Sequence, residues 1–588
     1  MQHWWERWPG RLECEVKAFT DAGLAFELDK EEFSRGRVIL RGRAPIAPGE
    51  IEEIIVVYPD IYPETRFTVY APGLKLPRHQ EPFQGNLCVF PRDSRYWRPE
   101  TLAAEIVKDQ IPKLVGLVRG GGDALRQAED PQGEPFSAYL PYYGNGSVII
   151  PPEALSIPKG IPRGTHMLRF RDSGKWIEFL TGSRKPPEKL GSALLLKVFD
   201  QQGNLLAAAG PRLVAAFKGP EFKGHWARLT IPQDAPTIND FFNNLRRKLP
   251  ANVFENGELV LQSGRYDMPA AVFSEEVRQG QHGDTWAFGL LGRARKKDNA
   301  QGQLVRGIPF SSDLLAERIP ELNSLREKKV AIIGLGTLGA PVASHLCKAQ
   351  IGRLAVADAD FVDPNTGVRW ISELAGAGAS KAIAVSQRLA ADYPFTEVSA
   401  FTLRIGDGSL FKDPLQSESA ILETMLAGAD LVIDATAEDN VSNAISCLAR
   451  ERGIPHISVF SIDGLGGVVV RLRKDETGCL HCLELACQRG EIVWPEAAAN
   501  QEATRVQPRG CADPTFIGTS VDLEPLATQA ASVAFGALCR GVAGGYPEND
   551  PGDVFVLQLR KPDRALTLPS WKAYRLPKDP GCPLCFPK

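Results

Sequence analysis

No long hydrophobic run occurs in this chain of 588 residues; no apolar stretch approaches the roughly 20 residues needed to cross a bilayer. The opening "MQHWWERWPG" lacks the charged and apolar blocks of a signal peptide. Net charge is also scarce, −3 in total, which gives no general reason to bind nucleic acid or an anionic membrane. No internal repeat is evident. Cysteine is nearly missing from the first half: of eleven, only Cys14 and Cys88 precede residue 340. These absences argue against a membrane-spanning helix and against nucleic acid as a partner, and they lead us to expect a cytoplasmic chain. In a reducing compartment, close cysteine pairs more often bind metal or do chemistry than form disulfides. Thiol use is therefore expected at the C-terminal end, plus Cys88.

What is present is ordinary for a globular protein, 43% hydrophobic and 24% charged. The length exceeds what one core supports, so several domains are expected. Residues 1–140 carry short runs rich in Val and Ile ("GRVILRGRAP", "EEIIVVYP"), a proline-broken passage "YPDIYPETRFTVYAPG", then "YWRPETLAAEIVKDQIPKLVGLV". In the last, Leu102, Ile106 and Ile111 predict a helix interrupted near Pro112. A small α+β domain follows from this order. A Gly- and Pro-rich linker leads to residues 146–300, where "HMLRFRD", "ALLLKVFD" and "RLVAAFK" read as strands and "TINDFFNNLRRKLP" as a helix. This is expected to be a middle α+β domain that positions its neighbours.

The third region, 305–588, is the most informative. "EKKVAIIGLGTLGAPVASHLCKAQIGRLAVADAD" reads strand, glycine turn, helix, strand. Val330 to Ile333 form the strand, Gly334, Gly336 and Gly339 the turn, and Val342, Leu346 and Ala349 the apolar face of the helix. Such a turn brings a phosphate close to backbone N–H groups at a helix N-terminus, and a carboxylate about twenty residues on, here Asp358, suits a ribose hydroxyl. The turn alone fits a dinucleotide-binding dehydrogenase. Downstream, however, "DADFVDPNTGVRW" adds Asn365 and Arg369, "GASKAIAVSQRLAADYP" adds Lys381 at a helix start, and "GADLVIDATAEDN" ends a strand in Asp434. Two cations and a carboxylate at strand ends suit a triphosphate with Mg²⁺ better than a nicotinamide.

With these residues in view, the region resembles the Rossmann-like adenylation domain of the ubiquitin-activating enzymes and of the sulfur-carrier activators ThiF and MoeB. The resemblance implies Asp358 at the ribose, Arg369 and Lys381 at the phosphates, and Asp434 at Mg²⁺. Asn365 lies one residue nearer Asp358 than the family's phosphate-contacting asparagine. "GCLHC" and "GCPLCFPK" supply Cys479, Cys482, Cys582 and Cys585, the four thiolates of a closed structural Zn²⁺ site, a zinc knuckle stapling the C-terminal tail. His481 between the first pair is expected to be a bystander. In "RGCADPTFIG", Cys511 follows a cation that favours its thiolate, and it matches the family's thioester-forming cysteine. Cys347, Cys447 and Cys539 lie in apolar helical stretches and are read as core; Cys487 has no assignment.

The N-terminal domain, in turn, resembles a ubiquitin-conjugating fold: "VVYPDIYPETRFTVYAPG" is similar to its strand-YP-strand passage, "GNLCVF" to its acceptor-cysteine loop and "YWRPETLAAEI" to its Trp-Pro lead into a helix. Cys88 falls at the acceptor position. The usual His-Pro-Asn is replaced by "RHQEPFQ", leaving Gln84, Asn86 or a backbone N–H as the oxyanion donor. The order conjugating-like, middle, activating-like resembles the fused conjugation enzymes of CBASS antiphage operons. That implies an ATP-dependent adenylyltransferase joined to a conjugating transferase. Its partners would be a ubiquitin-like protein or a CD-NTase-type protein with a reactive C-terminus and a target lysine, and its state a homodimer. Three other readings remain open: sulfur-carrier activation with the N-terminal domain as a binding module, a non-enzymatic platform, and a dehydrogenase.

Overall fold

The computed structural model describes residues 3–81, 84–90, 97–127, 135–140, 146–171, 191–230, 238–250, 253–255, 258–259, 268–278, 281–292, 301–371, 374–406, 417–462, 466–495, 499, 505–507, 515–548 and 552–586. They divide into two compact units, Met1–Phe310 and Ser311–Lys588. Among the described residues no helix is long and apolar enough to cross a membrane.

The first unit opens with a helical turn, Trp4–Arg7, and helix α1 (Pro9–Asp21), whose Pro9 stands at the first turn where its missing N–H is harmless. Five antiparallel strands follow in sequence order: β1 (Phe26–Leu28), β2 (Val38–Ala47), β3 (Glu50–Tyr58), β4 (Thr68–Tyr70) and β5 (Asn86–Leu87). Val38, Leu40, Ile54 and Val56 turn inward with period two and bury a face against Trp4, Phe19 and Phe67. Beyond β5 the chain winds into Ala103–Glu105, a widened π turn Ile106–Gln110, and helix α2 (Ile111–Gln127). The break expected near Pro112 is thus a change of pitch. Proline offers no N–H to the preceding turn, and a wide turn just ahead of it lets the helix continue.

A buried carboxylate ties this domain together. Glu15 of α1 accepts hydrogen bonds from Tyr58 Oη at 2.9 Å, from Tyr62 Oη and from Ala103 N at 3.0 Å, and pairs with Arg11 at 3.0 Å. Every lone pair direction is used, which is how a charge with no exposed surface is tolerated.

The second part of the unit differs from the expected α+β domain. Strands β6 (Ser147–Ile150), β7 (Arg163–Phe170), β8 (Ser192–Asp200), β9 (Leu205–Ala208) and β10 (Glu221–Arg228) precede a two-strand hairpin, β11 (Phe254–Glu255) and β12 (Glu258–Leu259). Then come β13 (Ala270–Arg278), β14 (Gln281–Gly292) and β15 (Gln301–Pro309). The order β6-β15-β14-β13-β10-β7-β8 returns to β6, which pairs with both β15 and β8, so the sheet closes into a barrel with β9 appended. Trp226, Trp286 and Phe288 fill it without exposed surface. Helix α3 (Ile238–Lys248) packs Phe241, Phe242 and Leu245 against Phe273 and Leu304. "RLVAAFK" is not the expected strand: Gly210 and Pro211 start a short helix, Pro211–Ala215. Because β15 belongs to the barrel, the domain extends past residue 300 and the boundary falls after Phe310.

The second unit is a doubly wound sheet. Strands β16 (Lys329–Ile333), β17 (Arg353–Asp358), β18 (Glu397–Thr402), β19 (Leu431–Asp434) and β20 (His456–Ile462) are parallel, in the order β18-β17-β16-β19-β20. Antiparallel β21 (Gly466–Leu472), then β24 (Val554–Arg560) and β25 (Leu566–Tyr574), extend it; β22 (Arg505–Val506) and β23 (Thr515–Phe516) form a separate pair. The longer helices of the unit are α4 (Gly339–Lys348), α5 (Lys381–Asp392), α6 (Glu418–Leu426), α7 (Asp439–Glu451), α8 (Leu480–Gln488) and α9 (Ser520–Leu538). Val330, Ile332, Val432 and Ile433 have no exposed surface, as the continuous apolar spelling of central parallel strands requires. Ligands of such sheets bind beyond the strand C-termini where the winding reverses, here between β16 and β19.

Candidate functional site

At that reversal the three glycines do different work. Gly334, at φ +87°, would place a Cβ 2.6 Å from Ala435 C, and a Cβ on Gly339 would lie 1.8 Å from Gly334 O. Both are needed for the strand-to-helix fit. A Cβ on Gly336 would meet nothing within 4 Å, so this backbone faces open space at the start of α4. Phosphate oxygens find N–H groups and a favourable dipole in such a place.

Asp358 ends β17, as the sequence implies, and its carboxylate accepts from Leu335 N at 2.6 Å and Asp360 N at 2.7 Å. Burial pushes its pKa up, while the two N–H donors and Lys381 pull the other way. Lys381 is the first residue of α5; its Nζ lies 2.8 Å from Asp360 Oδ2. Arg369 is half-buried after the 3₁₀ turn Pro364–Val368, next to Trp370, whose indole N–H donates to Leu335 O at 2.7 Å. Asn365 is exposed and donates to Asp363 Oδ1 at 2.9 Å. The glycine turn and Asp358 are therefore locked together, with Lys381 held beside them through Asp360.

Asp434 ends β19 but turns inward. It is 1% exposed; Oδ1 accepts from Thr436 N at 3.0 Å and Thr436 Oγ1 at 2.7 Å, and Oδ2 from Ser458 Oγ at 3.0 Å. In this arrangement it offers no exposed oxygen to Mg²⁺. Glu438 and Asp439, exposed at the start of α7, do. The signal for them lay in "AEDN", acids beyond a strand end and at a helix start, where the dipole favours negative charge.

Cys511 lies outside the described residues. Strands β22 and β23 on either side of its segment pair antiparallel, Arg505 opposite Phe516 and Val506 opposite Thr515. Cys88 belongs to the other unit. It follows β5, is half-buried, donates its N–H to His79 O at 2.8 Å and holds Sγ 3.7 Å from Phe90 O. Gln84 is exposed, and Asn86 stands in β5 opposite Tyr70.

Cys479, Cys482, Cys582 and Cys585 meet, every Sγ within 4.8 Å of the others. Nearest Sγ–Sγ distances are 3.5, 3.5 and 3.9 Å, against about 3.8 Å expected between thiolates bound tetrahedrally to zinc at about 2.3 Å. Asp579 N donates to Cys482 Sγ at 3.4 Å, and a Cβ on Gly478 would strike Cys482 Cβ at 2.6 Å. The donor set fits zinc. His481 pairs instead with Glu484 at 3.1 Å. Of the thiols read as core, Cys347 and Cys539 are buried, but Cys447 is exposed: it sits on the outer face of α7, which the apolar neighbours in sequence did not reveal. Burial pushes the Cys347 thiol up to about 12, consistent with an inert residue.

His456 was not foreseen. The first residue of β20, it is 2% exposed, and among the described residues neither ring nitrogen has a hydrogen-bond partner. Burial pushes its pKa down to about 4, with Asp434 acting in the opposite sense. An unfolded histidine takes up its proton near pH 6.5, about where the folded one still refuses it. Its contribution to stability is therefore full above about pH 6.5 and lost as pH falls toward 4, on the order of 3 kcal/mol. Urea midpoints from pH 7 to 4 are expected to fall less steeply for His456→Leu than for the natural chain. Parallel curves would refute the assignment.

Residues 311–582 match the model of the ThiF family. Along almost its whole length the chain is similar to the uncharacterized protein y4oA of Sinorhizobium fredii, 26% identical over 609 residues, covering 99% of this chain and 97% of that one. The ATP-dependent ubiquitin transferase-like protein Cap2 of Enterobacter hormaechei is 27% identical over 259 residues, 44% of this chain and 39% of Cap2. The molybdopterin-synthase adenylyltransferase of Salmonella typhimurium is 26% identical over 195 residues, 33% of this chain and 70% of the enzyme. The doubly wound sheet, with its glycine turn, strand-end acids and three of the four clustered cysteines, is thus the part of the chain that matches the ThiF family model.

Proposed function

We propose that this chain is an ATP-dependent activating enzyme fused to a conjugating transferase, acting on the C-terminal carboxylate of a ubiquitin-like or CD-NTase-type protein. The observation that carries the reading is the open backbone at Gly336, bracketed by Asp358 and Lys381 in the part of the chain that matches the ThiF family model. A carboxylate oxygen attacks the α-phosphorus of ATP, a P–O bond breaks, and pyrophosphate leaves. Asp358 holds the ribose, and the N–H groups of the turn with Lys381, Arg369 and Asn365 face the phosphates; Lys381 exchanges its bond to Asp360 for one to a phosphate. Mg²⁺ would offset phosphate charge, with Glu438 and Asp439 as its exposed carboxylates and Asp434 shaping the strand end behind them.

The Cys511 thiolate then attacks the acyl carbon and expels AMP, giving a thioester. Cys88 takes the acyl group by thiol exchange, and a lysine amine displaces it as an amide, returning the Cys88 thiol. The five-stranded sheet followed by Cys88 and a helix supports this reading of the first domain. Antiphage operons are the setting we favour, on the sequence resemblance, and a homodimer the assembly.

The relay is tested on a non-reducing gel with ATP, Mg²⁺ and a candidate modifier. A thiol-sensitive adduct is expected with the natural chain, none with Cys511→Ala, and one on Cys511 alone with Cys88→Ala. If Cys88→Ala leaves adducts and products unchanged, the first domain is a binding module. The similarity to the molybdopterin-synthase adenylyltransferase favours a second reading in that case, sulfur-carrier activation, marked by a thiocarboxylate product.

A further inference from the structure

The segment that holds Cys88 is anchored from two sides. Cys88 N donates to His79 O, and Leu87 bridges Gln80, so Arg78-His79-Gln80 runs antiparallel to the strand that ends at the thiol. Gln80, 5% exposed, fastens the inner side to its own domain: its Oε1 accepts from Leu76 N at 2.8 Å and its Nε2 donates to Ala71 O at 3.0 Å. His79 between them sits at φ +57°, a conformation few side chains adopt, which fixes the direction in which the next residue leaves.

Arg78 fastens the other side to the barrel. Its Nη2 donates to both carboxylate oxygens of Glu276, at 2.6 and 2.7 Å, with the two side chains only 16% and 11% exposed. Glu276 stands near the end of β13, beside an irregularity between Glu276 and Arg278 that turns the strand. Its neighbour Glu275 holds the segment after α2, whose Phe136 and Leu140 pack into the barrel domain's core, accepting from Ser137 Oγ at 2.5 Å, from Ser137 N at 3.1 Å and from Thr285 Oγ1 at 2.8 Å. Two adjacent acids of one barrel strand thus grip the segment facing Cys88 and the segment after α2. Removing one partner of a charge pair this sheltered costs more than at the surface, because it leaves a buried charge without its counterpart.

We infer that the barrel is a working part of the Cys88 site, and that Arg78 and Glu276 are positioning residues that set the presentation of the Cys88 thiol. The inference rests on Cys88 being the acceptor of the proposed relay, but it is read on the thiol itself. The experiment uses the full chain in four forms: natural, Arg78→Gln, Glu276→Gln, and the exchanged pair Arg78→Glu with Glu276→Arg. Alkylation of Cys88 by iodoacetamide, followed on its own peptide by mass spectrometry, needs no ATP or modifier. Melting curves check that each chain folds.

Each single variant is expected to change the Cys88 rate by roughly threefold or more, and the exchanged pair to return it to within about twofold, as coupled charges do. Cys447, in the other unit, should alkylate alike in all four. Equal Cys88 rates in all four chains would overturn the inference, as would an exchanged pair that behaves like the singles. If the rates follow expectation while no chain ever carries a modifier on Cys88, the positioning role stands and the conjugation reading falls.

Discussion

Replacing Gly336 by valine is expected to leave the chain folded and abolish its nucleotide chemistry, whereas valine at Gly339 should cost the fold of the second unit. The contrast follows from where each Cβ would go. At Gly339 it would overlap Gly334 O at 1.8 Å, and the helix could accept it only by leaving the sheet. At Gly336 the first 4 Å are open, so the folded state loses little, within about 1 kcal/mol. What the new side chain fills is the approach of a phosphate to the start of α4. In the proposed reaction the start of α4 supplies fixed N–H donors to the phosphates, so its obstruction should lower ATP–pyrophosphate exchange by about 100-fold or more. Melting curves and exchange rates on the two variants decide it. Undiminished exchange in Gly336→Val would mean that the triphosphate does not lie against this turn.

The parallel sheet was legible because its central strands are buried on both faces and so spelled as unbroken apolar runs, with glycines where β16 turns into α4. The direction of a side chain at a strand end was not. Asp434 looks like Asp358 in sequence, yet its partners are Thr436 and Ser458, and Ser458 comes from a strand whose pairing only the folded sheet reveals. The same limit hid the barrel. Strands β7 and β8 could be read locally, but closure depends on β6 meeting both β8 and β15, a pairing across most of the domain. It also hid Arg78, one of many arginines until Glu276 is set opposite it by the fold. Cys479 with Cys482 and Cys582 with Cys585 could be paired at a distance because four thiols at that spacing have one common use, and the chain does bring them together.

Stripping metal from that cluster should destabilise the second unit sharply. Among the described residues, the tail after β25 is otherwise held by few polar contacts: Leu576 N donates to Asp553 Oδ2 at 3.1 Å, Gly478 N to Leu576 O at 2.7 Å, and Arg489 pairs with Asp579 at 2.5 Å. Leu576 and Cys582 are buried, but that apolar surface is small, and the ion pair is half open to solvent. Four thiolates on one zinc would instead bind the tail to the start of α8 with a free energy that folding cannot replace. Cys582→Ser is therefore expected to lose the metal and at least about 3 kcal/mol, and Cys487→Ser, a half-buried thiol outside the cluster, under about 1 kcal/mol. A chelator should act like Cys582→Ser on the natural chain and do nothing further to that variant. Proteolysis should then cut first beyond Tyr574, since the last strand is held by its ladder to β24 and the tail is not. Metal analysis and urea midpoints read both effects. A chain purified without zinc that keeps its midpoint in chelator would show the four cysteines to be a core of protonated thiols, and the staple would have to be given up.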